Sequence, residues 1–308
     1  MGFLDSLGRD YGIWLVNGVY IFYAISGYVT MLSTENGSKN FMLKRVIKIF
    51  PLYWSLTITT YIFMRLVPQV FPYEPTFTEL IKSMFLIPFS HQSTATSDAL
   101  YPIVSMGHTI QTTMLYYLLF WIASTISHHN RGLITTILIV VIVVFGILFK
   151  PSSSFLKFYL KSDLIYFVAG IGAYYFCKHM ICAGKDRCSI SLVLFFVLFT
   201  LSMLIHNRWL LLILIFLLMC CTVISRQTKA LETTAFKKIA TMGNWTFSYF
   251  LIHLYCLRFI EVFGGTEFSI KTVAFDIIAL ATAWGISYLL YEFIEKRFTN
   301  QIRKLLLY

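Results

Sequence analysis

Three cations stand just ahead of an aromatic pair in FMLKRVIKIFPLYW, Phe41–Trp54: Lys44, Arg45 and Lys48, followed by Pro51, Tyr53 and Trp54. Residues three and four apart share a helix face, so the cations form one basic patch. That patch has two readings. It anchors the chain by keeping positive charge on the cytoplasmic side of a membrane, or it cradles the oxygens of a polyphosphate ligand. Upstream, the apolar run GVYIFYAISGYV, Gly18–Val29, contains the small pair Ser26 and Gly27. A second polar group, His108, Thr109, Gln111, Thr112 and Thr113, interrupts another apolar stretch. Imidazole titrates near neutrality, so His108 can position a hydroxyl-bearing acceptor or serve as its base. The alternative for His108, and equally for His253, is a hydrogen-bonded histidine packed between helices. The six cysteines lack the paired spacing of a zinc site, so free thiols and no metal are expected.

These side chains need apolar helices to hold them. The chain has 308 residues, 58% hydrophobic and only 13% charged, with mean hydropathy +0.73. Soluble domains carry about 25% charged residues, so a soluble multi-domain enzyme is excluded, as is a disordered or collagenous chain. The composition predicts an all-α polytopic membrane protein. A span needs about 20 apolar residues, and the gaps between charges mark nine candidates. They are Tyr11–Thr34, Ile49–Met64, Ala99–Asn130, Leu133–Phe149, Leu164–Cys177 extended by Leu156–Leu160, Cys188–Asn207, Trp209–Ser225, Ile239–Leu257 and Thr272–Phe293. With nine spans, sixteen of the 25 basic residues fall on one side, which places the C-terminus in the cytoplasm. The net charge of +11 is thus read as topology, with membrane lipids and no nucleic acid as partners. One membrane domain over 1–308 is expected. Its proline-rich outer loop, 68–102, holds an interfacial or re-entrant piece, Leu80–Phe89, too short to cross. Met1–Asp10 has no features of a signal peptide and reads as a loop.

The motifs, in order, resemble the membrane acyltransferase family often called acyltransferase-3, especially members that acetylate exopolysaccharide or O-antigen. Gly18, Val19, Phe22, Tyr23, Ile25, Ser26 and Gly27 fit its Gly-Val-x-x-Phe-Phe-x-Ile-Ser-Gly run. Arg45, Lys48, Pro51, Tyr53 and Trp54 fit Arg-x-x-Arg-x-x-Pro-x-Tyr-Trp, with Lys48 replacing an arginine. GNWTFSYFLIHL, Gly243–Leu254, is similar to the segment that ends in the family's histidine, here His253. YLLYEFIEKRF, Tyr288–Phe298, is similar to the closing Tyr-x-x-x-Glu-x-Pro, with Tyr291 and Glu295 matching.

The resemblance implies transfer of an acyl group, usually acetyl, from acyl-CoA to a hydroxyl of a surface polysaccharide or its lipid-linked precursor. It implies a multi-pass protein of the bacterial inner membrane with no permanently bound cofactor, acetyl-CoA serving as donor. Lys44, Arg45 and Lys48 would bind the CoA phosphates. Two departures stand out. The family's first of ten helices carries an Arg and, about ten residues on, a His thought to act as base. Nothing in Met1–Tyr11 supplies that His, so the chain is expected to be N-terminally incomplete or a degenerate relative. In Tyr101–Tyr117, His108, Thr109 and Ile110 stand where relatives have Trp-Ser/Thr-Leu, and Thr113 where they have Glu. A polysaccharide polymerase or flippase and a non-catalytic relative are the competing classes. The single cation Lys82 in the outer loop speaks against a polymerase, which would carry arginines there.

Overall fold

The computed structural model describes residues 3–37, 39–67, 74–89, 102–104, 106–180, 197–198, 201, 207–225, 234–264 and 270–307. Every regular element among them is helical, as the composition requires. In chain order these are α1 (Phe3–Ser33), α2 (Phe41–Leu66), α3 (Phe77–Met84), α4 (Gly107–Ile126), α5 (Arg131–Phe149) and α6 (Ser154–Tyr159). They continue with α7 (Ile165–Met180), α8 (Arg208–Ser225), α9 (Thr234–Met242), α10 (Thr246–Gly264), α11 (Ile270–Leu290) and α12 (Arg297–Leu307). A π-turn, Tyr291–Lys296, joins α11 to α12. Among the described residues, α2, α5 and the run Ala274–Ile302 are long and apolar enough to cross a membrane, and α8 holds a shorter apolar stretch, Trp209–Cys221.

Charge-free gaps located the helices better than their ends. α1 begins at Phe3, so Phe3–Asp10 is helix rather than loop. A single Gly8 costs a helix only about 1 kcal/mol, and extending an adjoining helix needs no new nucleus. Pro51 lies inside α2, where only the bond to the Ile47 carbonyl is lost. The expected span Ile239–Leu257 is broken by a 3-10 turn at Gly243–Trp245, because Gly243 and Asn244 are poor helix formers. Leu156–Leu160 does not extend α7; Lys161 is extended and a 3-10 turn, Ser162–Leu164, intervenes. The segment Cys188–Asn207 lies almost wholly outside the described residues.

The chain divides into two compact units. The first comprises Met1–Phe41, Thr112–Ser152 and Tyr159–Lys237. Its principal contact is α1 on α7, and α7 also packs on α5 and α8. Two glycines allow the α1–α7 approach: a Cβ on Gly27 would collide with the Phe167 carbonyl, and one on Gly170 with the Ala24 carbonyl. Small residues at a crossing let membrane helices pack backbone to backbone. Around it the rings of Tyr20 and Tyr166 stack at 4.3 Å and those of Tyr116 and Phe167 at 4.4 Å. Arg131 is buried at the start of α5, yet fully engaged. It donates to Thr34 Oγ1 (3.1 Å), the Met31 carbonyl (3.4 Å) and the His128 carbonyl (2.7 Å). A cation there satisfies carbonyls that the end of α1 leaves open. Beside it, Tyr174 donates to Glu35 Oε1 at 2.6 Å, which with Lys178 at 3.5 Å holds the Glu35 carboxyl below the usual carboxylate range.

The second unit comprises Met42–Gln111, Ser153–Phe158 and Lys238–Tyr308. Here α10 packs along α11, with Trp245 edge-on to Trp284 (5.8 Å) and Tyr288 (5.3 Å). The short α3 persists because its N-terminus carries a capping box: Thr76 Oγ1 accepts from Glu79 N, and the Glu79 carboxylate accepts from Thr76 N. Leu80, Phe89 and Ile103 form a small core there, with Tyr61, Met64 and Met84 against it.

Candidate functional site

The cations occupy the first two turns of α2. Lys44 and Lys48 are exposed and Arg45 is half-buried. Because α2 runs unbroken through Pro51, these cations and the Tyr53–Trp54 pair ride on one rigid rod. The charge of Lys48 acts on a buried carboxylate. Glu295 is 5% exposed, accepts a hydrogen bond from Ser248 Oγ at 3.0 Å and feels the charge of Lys48. An ionisable group in apolar surroundings persists where it is paired and used. Glu295 lies in the π-turn Tyr291–Lys296, and such turns re-aim side chains, often at functional sites. Two motif segments far apart in sequence thus meet here, Ser248 from α10 and Glu295 from the C-terminal turn, and the charge of Lys48 on α2 acts on the pair.

Ser248 is fully buried, so truncating its partner leaves a hydroxyl unpaired at a cost of about 1–3 kcal/mol. Glu295→Ala should therefore lower the melting temperature of the detergent-solubilised chain by several degrees. Glu295→Gln keeps an acceptor for Ser248 and should shift it much less. Equal melting curves for both variants would remove Ser248–Glu295 as a supporting contact.

Tyr53 and Trp54, adjacent on α2, have different surroundings. Trp54 sits at the surface, with Nε1 donating to the Met84 carbonyl at 2.9 Å. Tyr53 is entirely buried, and its hydroxyl donates to the Ser83 carbonyl at 2.9 Å. Ser83 Oγ in turn accepts from Ile103 N at 2.9 Å. A buried tyrosine needs a partner for its hydroxyl, and this one fixes α3 and the approach to α4 onto α2.

At the start of α4, His108 is half-buried, with Nε2 3.3 Å from Thr109 Oγ1. Thr109 and Gln111 are buried behind it. Thr113 is also buried, but belongs to the first unit, as do Ser26 and Gly27. Gly27 serves the α1–α7 crossing described above. His253 is tied to its own helix: Nδ1 lies 3.1 Å from the Tyr249 carbonyl and its ring stacks on that of Tyr249 at 5.5 Å. The second unit therefore contains Lys44, Arg45, Lys48, Tyr53, Trp54, His108, Thr109, Gln111, His253 and Glu295. Sequence reasoning missed Ser248 and Ser83, since a serine in an apolar run gives no periodic signal of its partner.

A family model described as an acyltransferase domain, that of the acyltransferase-3 family, matches residues 2–292. No curated protein and no solved structure matches the chain. With nearly its whole length matched, the chain belongs to that family and is a membrane acyltransferase.

Proposed function

We propose that this acyltransferase-3 member is an O-acyltransferase of the bacterial inner membrane. It moves an acyl group, acetyl foremost, from acyl-CoA to a hydroxyl of a cell-surface polysaccharide or its lipid-linked precursor. The observation that carries this reading is the buried Ser248–Glu295 pair under the charge of Lys48, in segments that resemble the family's motifs. Lys44, Arg45 and Lys48 supply charge for the CoA phosphates, to which ammonium and guanidinium groups bind strongly. Glu295, held by Ser248, adds a negative charge within the electrostatic reach of Lys48.

In the reaction the acceptor oxygen attacks the thioester carbonyl carbon, the C–S bond breaks, and CoA leaves as thiolate. The hydroxyl proton passes to a base and on to the thiolate sulfur. His108, half-buried at the head of a buried polar run, is the residue we assign to receive it.

Deleting the gene and measuring alkali-releasable acetate on the cell's polysaccharide tests this function. The wild-type gene should restore the acetate. His108→Ala should restore little, since a general base contributes about 10²- to 10⁴-fold. Full restoration by His108→Ala would make that residue structural, and no acetate difference on deletion would sink the polysaccharide reading.

A further inference from the structure

Gln111 is 3% exposed, and neither its carbonyl oxygen nor its amide nitrogen has a hydrogen-bond partner among the described residues. A buried amide left unpaired is costly, and such exceptions call for an explanation. Its surroundings supply one. Gly107 lies one turn earlier on the same face of α4, and a Cβ there would sit 2.9 Å from the Tyr53 hydroxyl. Helical side chains lean toward the N-terminus of their helix, which for Gln111 is the Gly107 end of α4, where the Pro102 ring and the Tyr53 hydroxyl lie. On α2, Tyr53, Thr57 and Thr60 follow at i, i+4 and i+7, all buried, a buried polar stripe along one face of the helix. From α10, Tyr255 neighbours both Tyr53 and Thr60. Its hydroxyl is buried beside the Thr60 side chain. All five residues lie in the second unit, and none of them carries a formal charge.

We propose that Gln111, Tyr53 and Tyr255, backed by Thr57 and Thr60, form a neutral hydrogen-bonding site for an uncharged ligand group offering both donors and acceptors. The inference rests on the acyltransferase reading for its two sources of such chemistry: the hydroxyls of a sugar acceptor, and the secondary amides of the donor's pantetheine arm. An amide side chain matches either, since it donates and accepts side by side.

The test uses the full chain in lipid nanodiscs, titrated separately with pantetheine, methyl α-glucopyranoside and N-acetylglucosamine, with binding read by saturation-transfer NMR. One class should bind saturably, and Gln111→Leu should weaken it at least tenfold. The same variant should melt no lower than wild type, because an unpaired buried amide has been replaced by an apolar group of similar size. The proposal is overturned if no probe binds the wild type, if Gln111→Leu binds like wild type, or if Gln111→Leu melts several degrees lower. Adenosine 3′,5′-bisphosphate, a probe of the phosphate cradle, is titrated alongside. Its failure to bind would count against the donor assignment alone, while the neutral probes still decide the role of Gln111.

Discussion

Replacing Arg45 and Lys48 together by alanine is expected to reduce acyl transfer at limiting acyl-CoA by at least a hundredfold. Each hydrogen bond to a charged group is worth about 1.5–3 kcal/mol. Two such losses amount to roughly 3–6 kcal/mol, or about 10²- to 10⁴-fold at 1.36 kcal/mol per decade. The loss should fall mainly on the KM for acyl-CoA. Phosphates far from the thioester are held alike in ground and transition states, and removing uniform binding raises KM while sparing kcat. Lys44, one turn from Lys48, remains as a residual cation. The competing reading, in which the cations only set topology, makes a different forecast: the double variant would insert differently, or insert normally with KM unchanged. Swapping the two residues, Arg45→Lys with Lys48→Arg, separates the readings further. Positive charge is conserved, so an anchor is unaffected, whereas a phosphate site that uses the guanidinium fork loses affinity. A normally inserted double alanine variant with wild-type KM would contradict the cradle.

Gly170→Leu is expected to abolish recovery of folded protein. The atom a Cβ would meet is the backbone carbonyl of Ala24, with Tyr28 N close behind, so no side chain can rotate away. Overpacking an ordinary core costs about 1–3 kcal/mol, and here the whole of α1 must move off α7, the principal packing contact of its unit. Gly18 supplies the control. It belongs to the same motif as Gly27, yet among the described residues nothing lies within 4 Å of its Cβ position. Gly18→Ala gains helix propensity, up to about 1 kcal/mol, and should melt at or slightly above wild type. Monodisperse yield and melting temperature in detergent read both. A well-folded Gly170→Leu chain would mean that the close α1–α7 crossing is not what these glycines serve.

The contrast between the two glycines shows what the sequence could and could not tell. A run such as Gly-Val-x-x-Phe identifies a segment, but only a neighbour's position shows that Gly27 abuts a carbonyl and that no described residue crowds Gly18. The all-α class was legible, because too few charges exist to coat a soluble surface and the charge-free gaps are helix-length. Boundaries were less so. Charge gaps are blind to Gly243–Asn244, a pair of poor helix formers inside an uncharged stretch, and to the favourable extension of α1 through Gly8. Within the site, the basic face was legible, since helical spacing alone brings Lys44, Arg45 and Lys48 together. Glu295 was flagged by resemblance, while its partner Ser248 stands 47 residues away and no local pattern links them. The Ser83 carbonyl that accepts the hydrogen bond of Tyr53 lies 30 residues on, equally without a local signal.

The most direct measurement is transfer of radiolabelled acetate by the full chain in proteoliposomes, from acetyl-CoA to cell-envelope glycans extracted from its own cells. The expected result is label on glycan that mild alkali releases, as an O-ester requires, with at least a hundredfold less from the Arg45→Ala, Lys48→Ala variant at limiting donor. Folded, inserted wild-type protein that transfers no label to any glycan fraction would contradict the assignment.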